Sequence, residues 1–262
     1  MTKRALKRFV REGACDERQF ADDRRPQDRP WDAKVRRLPT GRGWTPMPHN
    51  DDREQGYLKT IKPRSGGQER LIEAIDAHAL VLALGPAGSG KTYLAIAKAV
   101  EALESGKVER IVLSRPAVEA GESLGYLPGE LEEKLAPYLR PLYDALSDRL
   151  CMKRVRGLIV EGAIEIAPVG FMRGRTLNNA FVVIDEAQNC TYVQLKMLLT
   201  RLGWNSTMVV TGDPGQSDLL PELSGLSSAA ERLEVLPGVA VVRLGDGDIV
   251  RHPLVADMLS VL

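Results

Sequence analysis

Short apolar runs alternate with longer stretches of helix-forming residues along most of the chain. The apolar runs cover residues 79–84, 110–114, 164–167, 181–184, 208–210 and 239–244, and each has the length of a buried strand. Helices are predicted between them at 68–78, 91–104, 129–150 with interruptions at Pro137 and Pro141, 191–202 and 225–234. This alternation predicts an α/β fold in which helices sandwich a mostly parallel sheet.

The first part of the chain has a different composition. Residues 1–64 contain 17 Lys and Arg against 10 Asp and Glu, whereas the remaining residues contain 19 against 25. Because the first segment is rich in Pro and Gly and lacks apolar periodicity, we predict a disordered basic tail at 1–60 and an α/β domain at 61–262. The tail could bind nucleic acid, with Trp31 and Trp44 stacking on bases, or could simply be a solvated extension.

A glycine-rich segment follows the first apolar run and fits the phosphate-binding pattern G-x-x-x-x-G-K-[S/T]. Glycines let successive backbone N–H groups converge on one phosphate at the start of a helix. The lysine can reach the β and γ phosphates, and the threonine hydroxyl can ligate the magnesium ion that bridges them. We therefore predict that a nucleoside triphosphate is bound by Gly85, Pro86, Ala87, Gly88, Ser89, Gly90, Lys91 and Thr92.

The apolar run at 181–184 ends in the paired carboxylates of Asp185 and Glu186. Ligands of parallel α/β sheets bind at the carboxyl ends of the strands, which is where this pair is expected. Asp185 is predicted to hold magnesium together with Thr92, and Glu186 to orient and deprotonate the water that attacks the γ-phosphate. The pair favours hydrolysis of ATP over transfer of phosphate to a small molecule, because a kinase needs no base directed at water.

The run at 208–210 also ends in polar residues, at 211–216. Gln216 is predicted to sense the γ-phosphate, since an amide both donates and accepts hydrogen bonds and can distinguish a triphosphate from a diphosphate. We assign Asp213 and Gln188 to the nucleotide site as well.

The positions of the cysteines and histidines bear on the cellular compartment and on the metal that we expect. Cys15, Cys151 and Cys190 are scattered and form no C-x-x-C pair, which predicts a reducing, cytoplasmic compartment. The three histidines form no zinc-binding pattern, so the metal we expect is the Mg²⁺ that accompanies ATP. An apolar run of about 18 residues, which would predict a membrane span, is absent from the sequence.

Together these motifs resemble the PhoH-like ATPase family, the phosphate-starvation-inducible proteins of bacteria. The resemblance runs from about residue 60 to 262, through segments 85–92, 114–122, 124–129, 172–176, 185–189 and 211–216. The family is similar to the first motor domain of superfamily 1 helicases, which implies a RecA-like P-loop NTPase fold with an extra strand between the phosphate-loop strand and the Asp-Glu strand. It also implies a homohexameric ring and an adenine-reading role for Gln68, for which an ordinary surface glutamine is the alternative.

Several arginines are candidates for functions beyond the phosphate loop. Residues 217–262 are too few for a second RecA-like domain, so a neighbouring subunit would complete the site with an arginine finger. Arg201 and Arg251 are the candidates, and each could instead form an ordinary salt bridge. Arg115, Arg173 and Arg175 could grip RNA phosphates or could fix loops to carbonyls and carboxylates.

Two functions are compatible with these features. The first is a magnesium-dependent ATPase whose hydrolysis is coupled to binding or remodelling single-stranded RNA, as in a helicase. The alternative is a nucleotide-dependent switch that recruits a protein partner in RNA or ribosome metabolism without translocation. Stimulation of ATP turnover by RNA would favour the first.

Overall fold

A parallel sheet of six strands forms the centre of the part of the chain that the structure describes. The computed structural model describes residues 61–116, 131–219 and 224–250, so the predicted tail at 1–60 lies outside the described residues. The strands are β1 (Leu80–Leu84), β2 (Arg110–Arg115), β3 (Ile164–Pro168), β4 (Ala180–Ile184), β5 (Thr207–Gly212) and β6 (Val239–Arg243). Their order is β3-β2-β4-β5-β1-β6, and every pairing is parallel.

Helices connect these strands. Within the described residues the α-helices are α1 (Gly66–Ala77), α2 (Lys91–Glu104), α3 (Leu131–Ser147), α4 (Met152–Glu161), α5 (Tyr192–Leu199) and α6 (Leu226–Leu233). Short 3₁₀ helices follow three of the strands, at Val169–Met172, Ala187–Asn189 and Asp246–Asp248. The predicted α/β fold with a parallel sheet is therefore confirmed. None of the described helices is long and apolar enough to cross a membrane.

Three of the four inner strands are buried along their whole length. Every residue of β1, β4 and β5 is buried, whereas the edge strands β3 and β6 contain partly exposed residues. A parallel strand covered on both faces needs a continuous apolar run rather than an alternating one, because both sets of side chains enter the core. This requirement explains why the runs at 79–84 and 181–184 predict strands so closely.

The position of β5 confirms the predicted extra strand. β5 pairs with β1 on one side and with β4 on the other, so it separates the phosphate-loop strand from the Asp-Glu strand. Leu84 pairs with Gly212, and Ile184 pairs with Val210 and Ser114. The carboxyl ends of β1, β2, β4 and β5 therefore meet at one edge of the sheet.

Two helices differ from the prediction. The predicted interruptions at Pro137 and Pro141 are wrong, because α3 runs without a break from Leu131 to Ser147. A proline inside a helix loses its own backbone donor and crowds the carbonyl four residues earlier, and burial of residues such as Leu142 and Leu146 supplies packing that offsets this cost.

Helix α4 was not predicted, although its sequence carries a helical signal. Val155, Leu158 and Ile159 are buried at spacings of three and four residues, which is the pattern of an amphipathic helix. Gly162 ends α4 with a φ of 79°, the left-handed conformation that glycine adopts without strain. Lys153, Arg154 and Arg156 lie among these apolar positions, and the basic composition of the segment makes its helical periodicity easy to overlook.

Candidate active site

The glycine-rich loop between β1 and α2 takes backbone conformations that favour glycine. Gly85, Gly88 and Gly90 have φ angles of 145°, 85° and 86°. At Gly85 a Cβ atom would lie 2.4 Å from the carbonyl oxygen of Leu244, a backbone atom that a side chain cannot push aside. Helix α2 begins directly after the loop, at Lys91, so the partial positive charge of the helix N-terminus lies next to it. This arrangement is suited to bind phosphate.

The segment after β6 ties this loop to the start of α1. Val250 N donates a hydrogen bond to Gly88 O at 3.0 Å. The carboxylate of Asp248 accepts a hydrogen bond from Gly67 N at 3.1 Å. The phosphate loop is thus held in place by residues that lie much later in the chain.

Gln68 lies directly behind the phosphate loop. Its Nε2 donates to Ser89 O at 3.0 Å and its Oε1 accepts from Arg64 N at 2.9 Å. The side chain of Ser65 caps α1 by accepting from Gln68 N, which fixes where Gln68 enters the helix. Because Gln68 is only 5% exposed, the alternative of an ordinary surface glutamine is wrong. Its adenine-reading role stays a prediction.

The side chain of Lys91 is folded back onto the loop. Its Nζ donates to Gly85 O at 2.6 Å and to Pro86 O at 2.8 Å. Burial lowers the pKa of Lys91, and the nearby carboxylates, with Asp213 the strongest, partly offset this effect. A triphosphate would supply anionic acceptors for the same ammonium group.

Asp185 lies at the centre of a compact group of side chains that carry oxygen atoms. It is 2% exposed, and its Oδ1 accepts hydrogen bonds from the hydroxyls of Thr92 at 2.6 Å and Thr211 at 2.7 Å. Carboxylate and hydroxyl oxygens suit Mg²⁺, which binds a few protein oxygens and completes its shell with water and phosphate. The two predicted metal-binding residues, Thr92 and Asp185, are therefore brought into direct contact, and they fit this ion.

Glu186 follows Asp185 with an unusual backbone conformation. Its φ and ψ are 53° and 42°, in the left-handed region that non-glycine residues rarely occupy and that is common at functional sites. Its Oε2 accepts a hydrogen bond from Gln188 Nε2 at 2.5 Å, and Gln188 Oε1 accepts from Asp213 N at 3.1 Å. Gln188 thus joins the ends of β4 and β5.

These elements surround a cavity of about 310 Å³ at the carboxyl edge of the sheet. Gln216, the predicted sensor, lines it and donates its backbone N–H to Asp213 O at 3.0 Å. The lining residues are Ala87, Gly88, Gly90, Lys91, Thr92, Tyr93, Asp185, Glu186, Gly212, Asp213 and Gln216. The structure therefore brings most of the predicted site residues together around one cavity.

One of the two candidates for the arginine finger lies away from the cavity. Arg201 follows α5 and donates from Nε to Met197 O at 3.1 Å and from Nη1 to Arg175 O at 3.0 Å. Its guanidinium is thus engaged by its own chain, away from the residues that line the cavity. Arg251 lies outside the described residues.

The remaining three arginines have different environments. Arg175 forms a two-pronged ion pair with Glu165, at 2.5 Å and 2.7 Å, which lowers the pKa of Glu165, mainly through the hydrogen bond from Arg175. Arg173 is exposed. Arg115 belongs to the site itself, because its guanidinium lies 3.6 Å from Asp185 Oδ2 and 3.4 Å from Glu186 Oε1.

Thr211 and Tyr93 were not predicted as site residues. Arg115 was predicted to grip RNA phosphates or to fix loops to carbonyls and carboxylates, and its contacts with Asp185 and Glu186 fit the second alternative within the nucleotide site. Thr211 directly follows the apolar run at 208–210, so its position at a strand end was a usable signal. Tyr93 follows Thr92 and could have been placed beside the phosphates in the same way. The contact of Arg115 with the acidic pair depends on β2 pairing with β4, which the sequence pattern does not specify.

Known proteins resemble the same part of the chain. A family model described as PhoH-like protein matches residues 60–262. A PhoH-like protein of Bacillus subtilis is 53% identical over 203 residues, which cover 77% of this chain and 64% of that protein. Protein PhoH of Escherichia coli K12 is 48% identical over 205 residues, which cover 77% of this chain and 58% of that protein. The chain thus spans less than two thirds of the length of these relatives.

Among solved structures, the large terminase from a thermophilic bacteriophage has a TM-score of 0.46 and 11% identity. The match covers 76% of this chain and 50% of the terminase. The Pif1 helicase from Candida albicans has a TM-score of 0.39 and 14% identity, covering 76% of this chain and 44% of the helicase. Both resemblances are distant.

Proposed function

Because the chain belongs to the PhoH-like protein family, we propose that it is a magnesium-dependent ATPase. The observation that carries this proposal is the contact of the two predicted magnesium ligands, Thr92 and Asp185, at 2.6 Å on the wall of a cavity that Glu186 also lines. A base beside the metal-binding pair is what hydrolysis requires and what simple nucleotide binding does not.

Each part of the cavity has a proposed task. The backbone amides of the glycine-rich loop and the N-terminus of α2 bind the phosphates, and Lys91 adds a positive charge at the β and γ phosphates. Thr92 and Asp185 hold the magnesium ion, which when bound neutralises charge that develops on the phosphate oxygens. Glu186 orients the attacking water and accepts its proton, and Gln216 senses the γ-phosphate.

The hydrogen bonds of Gln188 support a link between hydrolysis and sensing. Gln188 bonds to the carboxylate of Glu186 and to the backbone of Asp213, and Gln216 bonds to Asp213 in turn. A shift of Gln216 on loss of the γ-phosphate would therefore reach the base through this chain of hydrogen bonds. We propose that this path reports the nucleotide state to a bound partner.

We propose that the partner is single-stranded RNA and that the active form is a homohexameric ring. The basic composition of residues 1–64 supports contact with a polyanion, and the family resemblance supports the ring. In such a ring an arginine of one subunit completes its neighbour's site. Arg201 and Arg251 are the candidates, and Arg201 would first have to give up its hydrogen bonds to Met197 O and Arg175 O.

A surface next to the site favours a second candidate function, the nucleotide-dependent switch that recruits a protein partner. Helix α5 starts shortly after Gln188, and Val193 in its first turn is 75% exposed, with Tyr192 beside it 38% exposed. Apolar side chains so close to the sensing residues could present a nucleotide-dependent contact to a protein.

The deciding experiment is the ATP turnover rate with and without single-stranded RNA at two salt concentrations, with Glu186→Gln as the inactive control. Stimulation that weakens as salt rises supports the RNA-coupled ATPase, because phosphate contacts release counterions. A rate that RNA leaves unchanged favours the switch. Turnover by Glu186→Gln equal to that of the unaltered protein would exclude the proposed site.

The arginine finger is tested by mixing subunits. Glu186→Gln subunits have an inactive site but an intact finger, whereas Arg251→Ala subunits have an intact site and lack the finger. If the finger acts in trans, the mixture regains turnover that neither variant shows alone. The same mixture with Arg201→Ala tests the other candidate.

A further inference from the structure

We propose that Arg115 is a positioning residue that holds Glu186 in place for hydrolysis. The inference rests on the proposed ATPase function. Arg115 is the last residue of β2, and the pairing of Ser114 with Ile184 sets the carboxyl ends of β2 and β4 side by side. The guanidinium therefore reaches the acidic pair from the neighbouring strand.

Glu186 is held from two sides. Arg115 Nη2 lies 3.4 Å from Glu186 Oε1, and Gln188 Nε2 donates to Oε2 at 2.5 Å. The backbone of Glu186 is in the left-handed region, which a non-glycine residue rarely adopts unless its surroundings hold it there. The two flanking side chains orient the carboxylate, one from β2 and one from the turn after β4.

Arg115 also relieves a repulsion within the site. Asp185 and Glu186 are adjacent carboxylates at one strand end, and the guanidinium lies between them, 3.6 Å from Asp185 Oδ2. Like charges this close repel each other, and a shared permanent cation keeps both carboxylates in one arrangement.

The contacts favour positioning over direct binding of nucleotide. Arg115 touches both Asp185 and Glu186, yet it is not among the residues that line the cavity, and its side chain is only 23% exposed. It acts on the reaction through Glu186. An interruption of the contact should therefore lower the rate of hydrolysis and leave the binding of ATP in place.

The test compares Arg115→Ala and Arg115→Lys with Arg154→Ala. Arg154 makes a single ion pair, with Glu104 at 3.4 Å, on the exposed side of α4, and serves as a control for the loss of an arginine ion pair away from the site. We expect Arg115→Ala to lower kcat about tenfold or more, with KM for ATP within about twofold of the unaltered value, because positioning acts on the transition state. Arg115→Lys should recover part of kcat, and Arg154→Ala should leave it unchanged.

One further measurement separates positioning from a role in nucleotide binding. In the double variant Glu186→Gln/Arg115→Ala, binding of a fluorescent ATP analogue with Mg²⁺ should equal that of Glu186→Gln alone.

Several outcomes would overturn the inference. Unchanged kcat in Arg115→Ala, alongside an active unaltered protein, would overturn it while leaving the ATPase proposal intact. Weaker analogue binding in the double variant would make Arg115 a nucleotide-binding residue instead. Absence of turnover in the unaltered protein and in Arg154→Ala would overturn the proposed function and the inference together.

Discussion

Replacing Thr211 by valine removes one of the two hydroxyl donors to the buried carboxylate of Asp185. Valine keeps the branched shape and the preference for a strand, so the substitution changes hydrogen bonding far more than packing. The bond measures 2.7 Å, Thr211 is fully buried, and Asp185 is 2% exposed, so water does not replace the lost donor. A hydrogen bond to a charged group contributes about 1.5–3 kcal/mol, and we expect the free energy of unfolding to fall by about that amount.

Urea unfolding followed by circular dichroism measures this loss. With a slope of about 3 kcal/mol per molar urea for a domain of this size, the midpoint should fall by about 0.5–1 M. Thr207→Val is the matched control, because Thr207 lies at the other end of β5 and its hydroxyl has no hydrogen-bond partner among the described residues. Equal midpoints for Thr211→Val and Thr207→Val would refute the idea that Thr211 stabilises the carboxylate. We also expect Thr211→Val to lower kcat, because Asp185 then loses a contact that orients it.

Three further predictions concern other parts of the structure. Burial raises the pKa of Cys190 to about 12, so iodoacetamide at mildly alkaline pH should modify the exposed Cys151 in the native protein and Cys190 only after unfolding. Because Arg175 lowers the pKa of Glu165, Arg175→Met should reduce stability by about 1 kcal/mol at neutral pH, and this difference should disappear as pH falls through the folded pKa of Glu165, below the unfolded value of about 4.3. At Gly212 a Cβ atom would lie 2.5 Å from a neighbouring methyl group and 2.8 Å from the amide oxygen that binds the Asp213 backbone, so Gly212→Ala should destabilise by about 1–3 kcal/mol and slow turnover.

Each of these has a measurement that would contradict it. Mass spectrometry that finds Cys190 alkylated as fast as Cys151 in the native protein would show that the buried site opens freely. A stability difference for Arg175→Met that persists well below the folded pKa of Glu165 would mean that the pair with Glu165 is not its cause. Normal turnover by Gly212→Ala would show that the link between β4 and β5 tolerates displacement.

The sequence could predict the strands, the phosphate loop and the acidic pair because each depends on local chemistry. A buried parallel strand needs a continuous apolar run, and a phosphate loop needs glycines, a lysine and a hydroxyl at fixed spacing. The same cavity is lined by five residues that such local patterns predicted, namely Lys91, Thr92, Asp185, Glu186 and Gln216.

Contacts across strands could not be predicted in the same way. The apolar runs indicate that strands exist but not which strand pairs with which, and Arg115 meets Glu186 only because β2 lies beside β4. Thr211 meets Asp185 because β5 lies on the other side of β4, an order that only the family resemblance implied. The burial of Gln68 likewise depends on where α1 lies relative to the phosphate loop.

The hydrogen bond from Val250 N to Gly88 O has a consequence for folding during synthesis. β6 pairs with β1, and the segment that follows it reaches back to the phosphate loop and to Gly67, so the loop near the start of the domain is fixed by residues synthesised much later. A nascent chain that has emerged only a little beyond β5 already contains Lys91, Asp185, Glu186 and Gln216. It still lacks β6 and the hydrogen bond from Val250 N that hold the glycine-rich loop in its conformation. The glycine-rich loop should therefore reach its final conformation only after the residues up to Val250 have left the ribosome.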